Sequence, residues 1–329
     1  MNLDFLAGKR VLVTGGTGSF GQNCVRTLLD LSQAARVIVF SRDELKQSQM
    51  MASFTGYDNR LAFFLGDVRD AARLDRAFEG VDIVIHAAAL KHVPLLEYSP
   101  FEAVQTNIIG TQNVINAAID NGVEKVMFLS TDKAASPANL YGATKLCAEK
   151  ICINANSYSA GKTKIACVRY GNVLGSRGSI LHIIEAQRKN GVVNLTHEEM
   201  TRFWITLDQG VSLVLNGLRE MQGGEIFIPK IPSMRVADLI KLVAPECEMK
   251  IIGIRPGEKL HETLVTVEEM RHTVEFDDVY VVHPQTAKPD PWIQMGARPM
   301  DPNFVYSSDR NAQWLDENSL RELLAQARL

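Results

Sequence analysis

The chain has 329 residues, of which 46% are hydrophobic and 22% charged, and its formal net charge is −3. This composition is typical of a globular protein with one large or two smaller domains, and it lacks the basic excess that attracts nucleic acid. No apolar run approaches the ~20 residues that a membrane-spanning helix needs, and residues 1–4 show no signal-peptide pattern, so we expect a cytoplasmic protein without membrane contacts. The five cysteines are odd in number and lack metal-ligand spacing, which predicts reduced core thiols and no metal site.

The first predicted strand, residues 10–14, leads directly into a glycine-rich turn and then a helix. Glycines at positions 15, 18 and 21 would form a tight turn, let a pyrophosphate approach the backbone and let the helix pack on the sheet. The N-terminus of that helix would face the phosphates. Strand, turn and helix occur in the order that a dinucleotide site requires. The residues predicted for this site are Gly15, Thr17, Gly18, Ser19, Phe20 and Gly21.

The second predicted strand, residues 36–40, ends where dinucleotide-binding folds read the ribose 2′ position. An acidic residue there would favour NAD, whereas Ser41 and Arg42 suit a 2′-phosphate through charge-assisted hydrogen bonds, so we favour NADP. The alternative is that Arg42 pairs with Asp43 or Glu44 in a solvated cluster, which leaves NAD open. The residues predicted around the ribose are Ser41, Arg42, Asp43 and Lys46.

Further predicted strands at 61–65, 81–86, 126–129 and 164–168 alternate with helices, which indicates the α/β class with a doubly wound parallel (Rossmann) sheet. We assign residues 1–175 to this dinucleotide-binding domain. Residues 176–329 would form mainly a smaller C-terminal α/β substrate-binding region, with some segments returning to the sheet. In that region, residues 225–229 and 250–254 resemble short strands, and residues 236–243 resemble a helix.

Several residues that follow the third and fourth strands are expected near the cofactor. These are Asp67 and Val68 beside the adenine, Ala87, Ala88 and Ala89 beside the ribose or nicotinamide, Lys91 near a ribose hydroxyl or the substrate, and Asn107 near the active lysine. The competing interpretations are an N-cap for Asp67, a surface position for Lys91 and simple helix packing for Asn107.

Two motifs near the middle of the chain carry the reactive side chains. Tyr141 and Lys145 are four residues apart, so they share one face of a predicted helix, where the lysine charge would lower the pKa of the phenol below its usual ~10. Thr131 follows the strand 126–129 and would hydrogen-bond the same substrate oxygen. Alcohol oxidation alone gives no reason for Asp132 and Lys133, which indicate a second proton transfer. The alternative is that these two form a solvated pair or that Asp132 caps a helix.

The glycine turn, Thr131 and the Tyr141/Lys145 pair resemble the extended short-chain dehydrogenase/reductase superfamily over essentially the whole chain. Four motifs narrow the resemblance to the C5-inverting UDP-N-acetylglucosamine 4,6-dehydratases, of the type that opens pseudaminic acid synthesis for flagellin glycosylation. They are Ser-Thr-Asp-Lys-Ala at 130–134, Asn-Leu-Tyr-Gly-Ala-Thr-Lys at 139–145, Gly-Asn-Val-Leu-Gly-Ser-Arg-Gly-Ser at 171–179 and Arg-Pro-Gly-Glu-Lys-Leu-His-Glu at 255–262. Retaining dehydratases usually have Asp-Glu where this chain has Asp132-Lys133.

The resemblance implies a redox-neutral loss of water from a UDP-sugar with NADP. Tyr141, assisted by Lys145 and Thr131, would deprotonate the C4 hydroxyl while hydride passes to the cofactor. Lys133 would remove the C5 proton and Asp132 would protonate the departing C6 hydroxyl, before hydride returns to C6. Lys133 can act as this base only if burial or the nearby Lys145 charge lowers its pKa well below ~10.4. The division of acid and base between Asp132 and Lys133 stays open.

Substrate contacts are implied mainly after residue 171. The loop at 176–179 offers amides and a guanidinium to a diphosphate, and residues 255–258 would complete the site, with an ion pair between Arg255 and Glu258 as the competing interpretation. The predicted substrate-binding residues are Lys91, Lys133, Tyr141, Asn172, Val173, Ser176, Arg177, Gly178, Ser179, Arg255 and Glu258.

Two other functions use parts of the same pattern. A nucleotide-sugar 4-epimerase or reductase would need the cofactor site, Tyr141 and Lys145 but not Asp132 and Lys133. A non-catalytic NADP-binding regulator would need only the glycine turn. The sugar's 2-substituent follows from the resemblance alone. The resemblance also implies a homo-oligomer, either a dimer or a hexamer.

Overall fold

The computed structural model describes residues 1–57, 59–176, 178–284 and 290–327. The strands within these ranges are β1 (Arg10–Thr14), β2 (Arg36–Ser41), β3 (Leu61–Leu65), β4 (Ile83–His86), β5 (Lys125–Leu129), β6 (Lys164–Val168), β7 (Asn172–Val173), β8 (Val192–Leu195), β9 (Thr201–Ile205), β10 (Ile226–Pro229), β11 (Ser233–Arg235), β12 (Glu248–Ile251), β13 (Thr263–Val265), β14 (Thr273–Glu275), β15 (Val279–Val282), β16 (Arg298–Pro299) and β17 (Tyr306–Ser307).

The α-helices within the same ranges are α1 (Ser19–Leu31), α2 (Glu44–Ser53), α3 (Ala71–Phe78), α4 (Val93–Tyr98), α5 (Pro100–Ala103), α6 (Gly110–Asp120), α7 (Leu140–Ala155), α8 (Ile180–Arg188), α9 (Leu207–Glu220), α10 (Val236–Val243), α11 (Val267–Met270), α12 (Asp290–Gln294) and α13 (Glu317–Gln326). A π-helical segment, Val104–Ile109, joins α5 to α6, and a 3-10 turn, Asp132–Ala134, precedes α7.

Among the described residues, ten strands form one sheet in the order β16-β14-β15-β10-β6-β5-β4-β1-β2-β3. From β3 to β10 the neighbouring strands are parallel, and β15, β14 and β16 extend the sheet with antiparallel pairing. The apolar runs of β1, β2, β4, β5 and β6 are buried because helices cover both faces of the sheet. The predicted α/β class with a doubly wound parallel sheet is therefore confirmed.

The strand order places a crevice at the carboxyl edge of the sheet. The chain passes from β3, at one edge, to β4, on the other side of β1, so the connections after β1 and β4 lead away in opposite directions. Ligands of open α/β sheets bind at such a point. Three small sheets, ordered β11-β9-β7, β12-β8 and β13-β17, lie outside the main sheet. Trp204, Leu195 and Met234 from these sheets pack with Leu239 of α10 in a second apolar core.

The five cysteines are all free, and Cys24, Cys152 and Cys167 are buried as predicted. Cys147 is exposed on α7 and Cys247 is half-buried, so the prediction of core thiols was wrong for these two. A helix presents only part of its circumference to the core, and Cys147 lies on the outer part of α7.

A buried ion pair joins the main sheet to α7 and α11. Arg169, just after β6, donates to Glu149 with Nη2–Oε2 at 2.6 Å and to Glu269 with Nη1–Oε2 at 2.9 Å. We expect Arg169→Met to lower the free energy of unfolding by about 3–5 kcal/mol, because Glu149 is fully buried and would lose its partner. Chemical denaturation measures the change. The control is Arg321→Met, which removes an exposed pair with Glu317 and should leave the midpoint almost unchanged.

Candidate active site

A cavity of about 710 Å³ opens at the carboxyl edge of the main sheet. It brings together most of the residues predicted for cofactor, catalysis and substrate. Those in its lining are Gly15, Thr17, Gly18, Ser19, Phe20, Gly21, Ser41, Arg42, Asp43, Lys46, Asp67, Val68, Ala87, Ala88, Ala89, Lys91, Thr131, Asp132, Lys133, Tyr141, Lys145, Asn172, Val173, Ser176, Gly178 and Ser179.

The glycine turn has the shape that a pyrophosphate needs. Gly15 has φ +67°, and a Cβ there would stand 2.8 Å from the backbone nitrogen of Ala88. A Cβ on Gly21 would stand 2.5 Å from the carbonyl oxygen of Gly15, so α1 can approach the turn only because this position is glycine. The helix starts at Ser19, directly beside the cavity. The residues present therefore fit a dinucleotide whose phosphates lie at the N-terminus of α1.

The end of β2 carries a positive charge at the rim of the cavity. Arg42 is half exposed and lies 3.7 Å from Asp67 Oδ2, measured from Nη1. Its acidic neighbour Asp43 instead caps α2 by accepting from the backbone of Lys46 at 3.0 Å and pairs with the Lys46 side chain. Arg42 thus pairs with Asp67 and not with Asp43 or Glu44, the partners that the alternative interpretation named.

Asp67 is held by arginines and not by a helix. Burial opposes ionisation of its carboxylate, but hydrogen bonds and charge from Arg69, together with Arg42, lower the pKa of Asp67 below its usual value. Asp70 caps α3 by accepting from the backbone of Arg73. The interpretation of Asp67 as an N-cap was therefore wrong.

The segment after β5 holds three of the predicted catalytic residues in one hydrogen-bonded chain. Thr131 Oγ1 donates to Asp132 Oδ1 at 2.9 Å, and Lys133 Nζ donates to the same oxygen at 3.0 Å. Asp132 is fully buried, whereas the Lys133 side chain is about a quarter exposed, at 26%. Gly142 lets α7 approach this segment, because a Cβ there would stand only 2.1 Å from the carbonyl oxygen of Lys133. Asp132 and Lys133 are thus neither a solvated pair nor a helix cap.

The pKa of Lys133 is raised in this structure, whereas a role as the C5 base was conditional on a lowered one. Burial lowers the pKa of Lys133, but the carboxylates of Asp132 and Glu262 outweigh it and raise the pKa above its usual value. Lys133 Nζ lies 3.4 Å from Glu262 Oε1 in addition to its bond with Asp132. The lowered pKa that was set as the condition for a Lys133 base is therefore absent in this structure, because a second carboxylate, Glu262, faces Lys133.

The pKa of the Tyr141 phenol is also raised, whereas we expected Lys145 to lower it. Burial raises the pKa of Tyr141 to about 12, with a further increase from Asp132 and a partial decrease from the Lys133 charge and a hydrogen bond with Thr131. The Lys145 ammonium donates a hydrogen bond to the carbonyl oxygen of Leu129. Burial lowers the pKa of Lys145 to about 8. Lys133, not Lys145, is thus the cation that lowers the pKa of the phenol in this structure.

Three predicted residues lie outside the cavity lining. Asn107 is buried and uses its side chain to accept from Leu90 N at 2.8 Å and to donate to Leu90 O at 2.9 Å and to Thr144, so it holds the loop after β4 against α7. Arg255 and Glu258 pair with each other, with Nη2–Oε1 at 2.7 Å, as the competing interpretation stated. Arg177 lies outside the described residues.

Sequence reasoning missed three charged side chains that surround Lys133. Glu262 is 2% exposed and lies between Lys133, Arg202 and Lys259. The signal for Arg202 was available, since an arginine inside the apolar strand β9 requires an anionic or carbonyl partner. Glu262 belongs to the motif at 255–262, yet only the tertiary fold places that motif beside Lys133.

No helix in the described ranges is both long and apolar enough to cross a membrane. No cluster of three or more histidine, cysteine, aspartate or glutamate side chains in them could hold a metal ion.

The structure defines an enzyme of the extended short-chain dehydrogenase/reductase class. The features that define it are the fold, a glycine turn that fits a dinucleotide, and the side chains of Thr131, Tyr141 and Lys145 in one cavity. A family model described as polysaccharide biosynthesis protein matches residues 11–284. The chain belongs to this family.

Individual proteins that are similar to this chain give more specific information than the family does. The chain is 46% identical to a UDP-N-acetylglucosamine 4,6-dehydratase (inverting) of Campylobacter jejuni, over 96% of this chain and 97% of that protein. It is 41% identical to a UDP-glucose 4-epimerase of Rickettsia conorii, over 83% of this chain and 82% of that one. Among solved structures, Pen from Bacillus thuringiensis is 38% identical, with a TM-score of 0.88 over 98% of this chain and 99% of that one.

Proposed function

We propose that this enzyme is a UDP-N-acetylglucosamine 4,6-dehydratase that inverts C5. The observation that carries the proposal is the hydrogen-bonded pair of Asp132 and Lys133 inside the cavity, next to Tyr141. A second acid and a second base beside the oxidation site are what water elimination adds to alcohol oxidation. The 46% identity with a dehydratase of this kind supports the choice of sugar.

The cofactor we propose is NADP. The cavity-lining residues of the glycine turn and of the end of β2, including Gly15 and Arg42, would hold the dinucleotide. Asp67 and Val68 would lie beside its adenine. A bound nicotinamide would supply the reversible acceptor for the hydride that leaves C4 and returns at C6. Ala87, Ala88 and Ala89 would leave room for it against the backbone, and Lys91 would reach a ribose hydroxyl or the sugar.

Oxidation at C4 requires a group that removes the hydroxyl proton. Tyr141 lines the cavity beside Thr131, whose hydrogen bond lowers the pKa of the phenol. With its pKa raised overall to about 12, the phenol is protonated at neutral pH, so the Lys133 and Thr131 contacts are needed to make the phenolate accessible. Lys145 lies one turn after Tyr141 on the same face of α7, where it would bind the cofactor beside Tyr141.

Elimination requires a free amine and a carboxylic acid together. Because its pKa is raised, Lys133 is an ammonium at rest, and it becomes a base only when one proton passes along the 3.0 Å bond from its Nζ to Asp132 Oδ1, which creates both forms at once. The Lys133 amine then takes the C5 proton, the electron pair of that bond forms the C5–C6 double bond, and the C6 hydroxyl leaves as water with the proton of Asp132. Asp132 returns to a carboxylate and Lys133 to an ammonium, so the pair ends in its starting state.

The nucleotide half of the substrate would lie against β7 and the residues that follow it. The cavity lining there includes Asn172, Val173, Ser176, Gly178 and Ser179. Backbone amides and hydroxyls of this kind suit a diphosphate. We also propose that the 4-keto product enters pseudaminic acid synthesis for flagellin glycosylation, in the cytoplasm.

A homo-oligomer, a dimer or a hexamer, is part of the proposal. The support is an apolar surface on the adjacent helices α4 and α5, where Leu95, Tyr98 and Phe101 are exposed. Large apolar side chains grouped in this way mark interaction surfaces.

A nucleotide-sugar 4-epimerase is the second candidate, because a Rickettsia protein named UDP-glucose 4-epimerase is 41% identical. The two functions differ in mass balance, since epimerisation leaves the mass of the sugar nucleotide unchanged. Purified protein should convert UDP-N-acetylglucosamine to a product lighter by one water, read by mass spectrometry. An unchanged mass with C4 epimerised would instead establish the second candidate.

The choice of NADP over NAD can be tested at Arg42. We expect Arg42→Ala to weaken NADP binding at least about tenfold, because a charge-assisted bond to the 2′-phosphate is lost, while NAD affinity changes little. Isothermal titration with each dinucleotide measures both affinities. Arg76→Ala, at an exposed position on α3, is the control. Equal losses for NADP and NAD would contradict a role in reading the 2′-phosphate.

A further inference from the structure

Lys133 belongs to a charged cluster that extends behind the cavity. Its Nζ lies 3.0 Å from Asp132 Oδ1 on one side and 3.4 Å from Glu262 Oε1 on the other. Two further cations approach the same glutamate, with Arg202 Nε at 3.7 Å from Oε1 and Lys259 Nζ at 3.7 Å from Oε2. Glu262 is outside the lining of the cavity, so it contacts the reactive lysine but not the reacting sugar.

The backbone fixes Glu262 in this position. Its N–H donates to Ser308 Oγ at 2.9 Å, and its carbonyl oxygen accepts from the Ser308 N–H at 2.8 Å. The next residue, Thr263, pairs with Ser307 where β13 meets β17. Because the main chain is held on both sides, the carboxylate has little freedom to move away from Lys133.

The carboxylate itself is incompletely paired. Among the described residues, Glu262 Oε2 is buried without a hydrogen-bond partner, and the same is true of Asp132 Oδ2. A buried carboxylate in such a state is costly unless nearby cations balance its charge. Lys133 is therefore the shared cation of two buried carboxylates, and only one of them, Asp132, faces the cavity.

We propose that Glu262 is a positioning residue of the dehydratase, which holds Lys133 beside Asp132 and keeps one exchangeable proton on that pair. This inference rests on the proposed function and deepens it. Without the Glu262 charge, the proton would leave the pair more readily, and Lys133 would become a free amine with no acid beside it. The elimination needs base and acid together, so water loss would fail at a lower pH than in the wild type.

The groups that face Lys133 decide the sign of the pH effect. They come from the loops, strand and helix packed around it and are Asp132, Tyr141, Lys91, Arg202, Lys259 and Glu262. Removing an anion from this set lowers the pKa of Lys133, and removing a cation raises it. The alkaline limb of the rate profile, where the shared proton is lost, should therefore move in opposite directions for the two kinds of substitution.

The main test is Glu262→Gln. We expect the alkaline limb of kcat for water loss from UDP-N-acetylglucosamine to move down by at least about 1 pH unit, with KM little changed. Glu268→Gln, the same substitution at an exposed position on α11, should leave the profile at the wild-type pH. A lower kcat with an unmoved profile would overturn the proposal, because a purely structural role would produce that result.

A second variant keeps the test decisive if Glu262→Gln does not fold. Lys259→Met removes a cation from the far side of Glu262, so the alkaline limb should move to higher pH. A shift to lower pH, or an unmoved limb, would contradict the proposal. The proposed function fails separately, since that failure would appear as an absence of water loss in the wild-type enzyme itself.

Discussion

Replacing Asp132 by asparagine should stop water loss while C4 oxidation continues. The asparagine keeps the shape of the side chain but cannot protonate the C6 hydroxyl, so the dehydration rate should fall by about 10²–10⁴-fold. Oxidation should persist because the Asp132 charge raises the pKa of Tyr141, and its removal makes the phenolate easier to form. A quench with borodeuteride, followed by mass spectrometry, would reveal the C4 ketone as deuterium at C4 of a sugar that has kept its C6 hydroxyl.

Asp120→Asn is the matched control for this experiment, because Asp120 is exposed at the end of α6. Its rates should equal those of the wild type. Continued water loss by Asp132→Asn at the wild-type rate would show that Asp132 is not the acid. Loss of C4 oxidation together with dehydration, in a variant that melts at the wild-type temperature, would contradict the separation of the two steps.

Replacing Tyr141 by phenylalanine should stop both steps. The phenol is the only oxygen that the change removes, and without it the C4 hydroxyl proton has no acceptor, so we expect about 10²–10⁴-fold loss of oxidation. No deuterium should enter C4 on the borodeuteride quench, and no water should be lost. Elimination fails as well because the C5 proton becomes acidic only when C4 is a ketone.

Tyr158→Phe is the control for Tyr141→Phe, since Tyr158 is half exposed and outside the cavity lining. It should behave as the wild type. Thermal unfolding would show whether Tyr141→Phe is folded. A Tyr141→Phe variant that still forms the C4 ketone would require another base and would remove the reason for placing Thr131 and Lys145 beside it.

The local elements of the fold follow closely from sequence pattern. The predicted strands at 10–14, 61–65 and 164–168 and the helix at 236–243 have the predicted limits, because each is an apolar run closed by turn or capping residues. The strand predicted at 250–254 instead spans Glu248–Ile251, since its limits come from parallel pairing with β8. Gly253 has φ +83°, which ends any continuation.

Most of the residues predicted for the site line one cavity, but the pKa values of Lys133 and Tyr141 did not follow from the sequence. Glycine spacing and the motifs around Thr131 and Tyr141 depend on neighbours in the sequence, and these residues do line one cavity. The pKa of Lys133 depends on Glu262, which lies far along the chain and is brought to the site by the tertiary fold, next to the pairing of β13 with β17. Arg255 and Glu258 illustrate the same limit, since each has the other as its nearest opposite charge.

The most direct test of the account is incubation of UDP-N-acetylglucosamine with the purified protein in heavy water, without added cofactor, followed by mass spectrometry and proton NMR. We predict a product that has lost one water, carries deuterium at C5 and has inverted configuration there. That result would establish elimination, C5 exchange and a retained cofactor together. A sugar nucleotide that loses no water, even after NADP is supplied, would contradict the role assigned to Asp132 and Lys133.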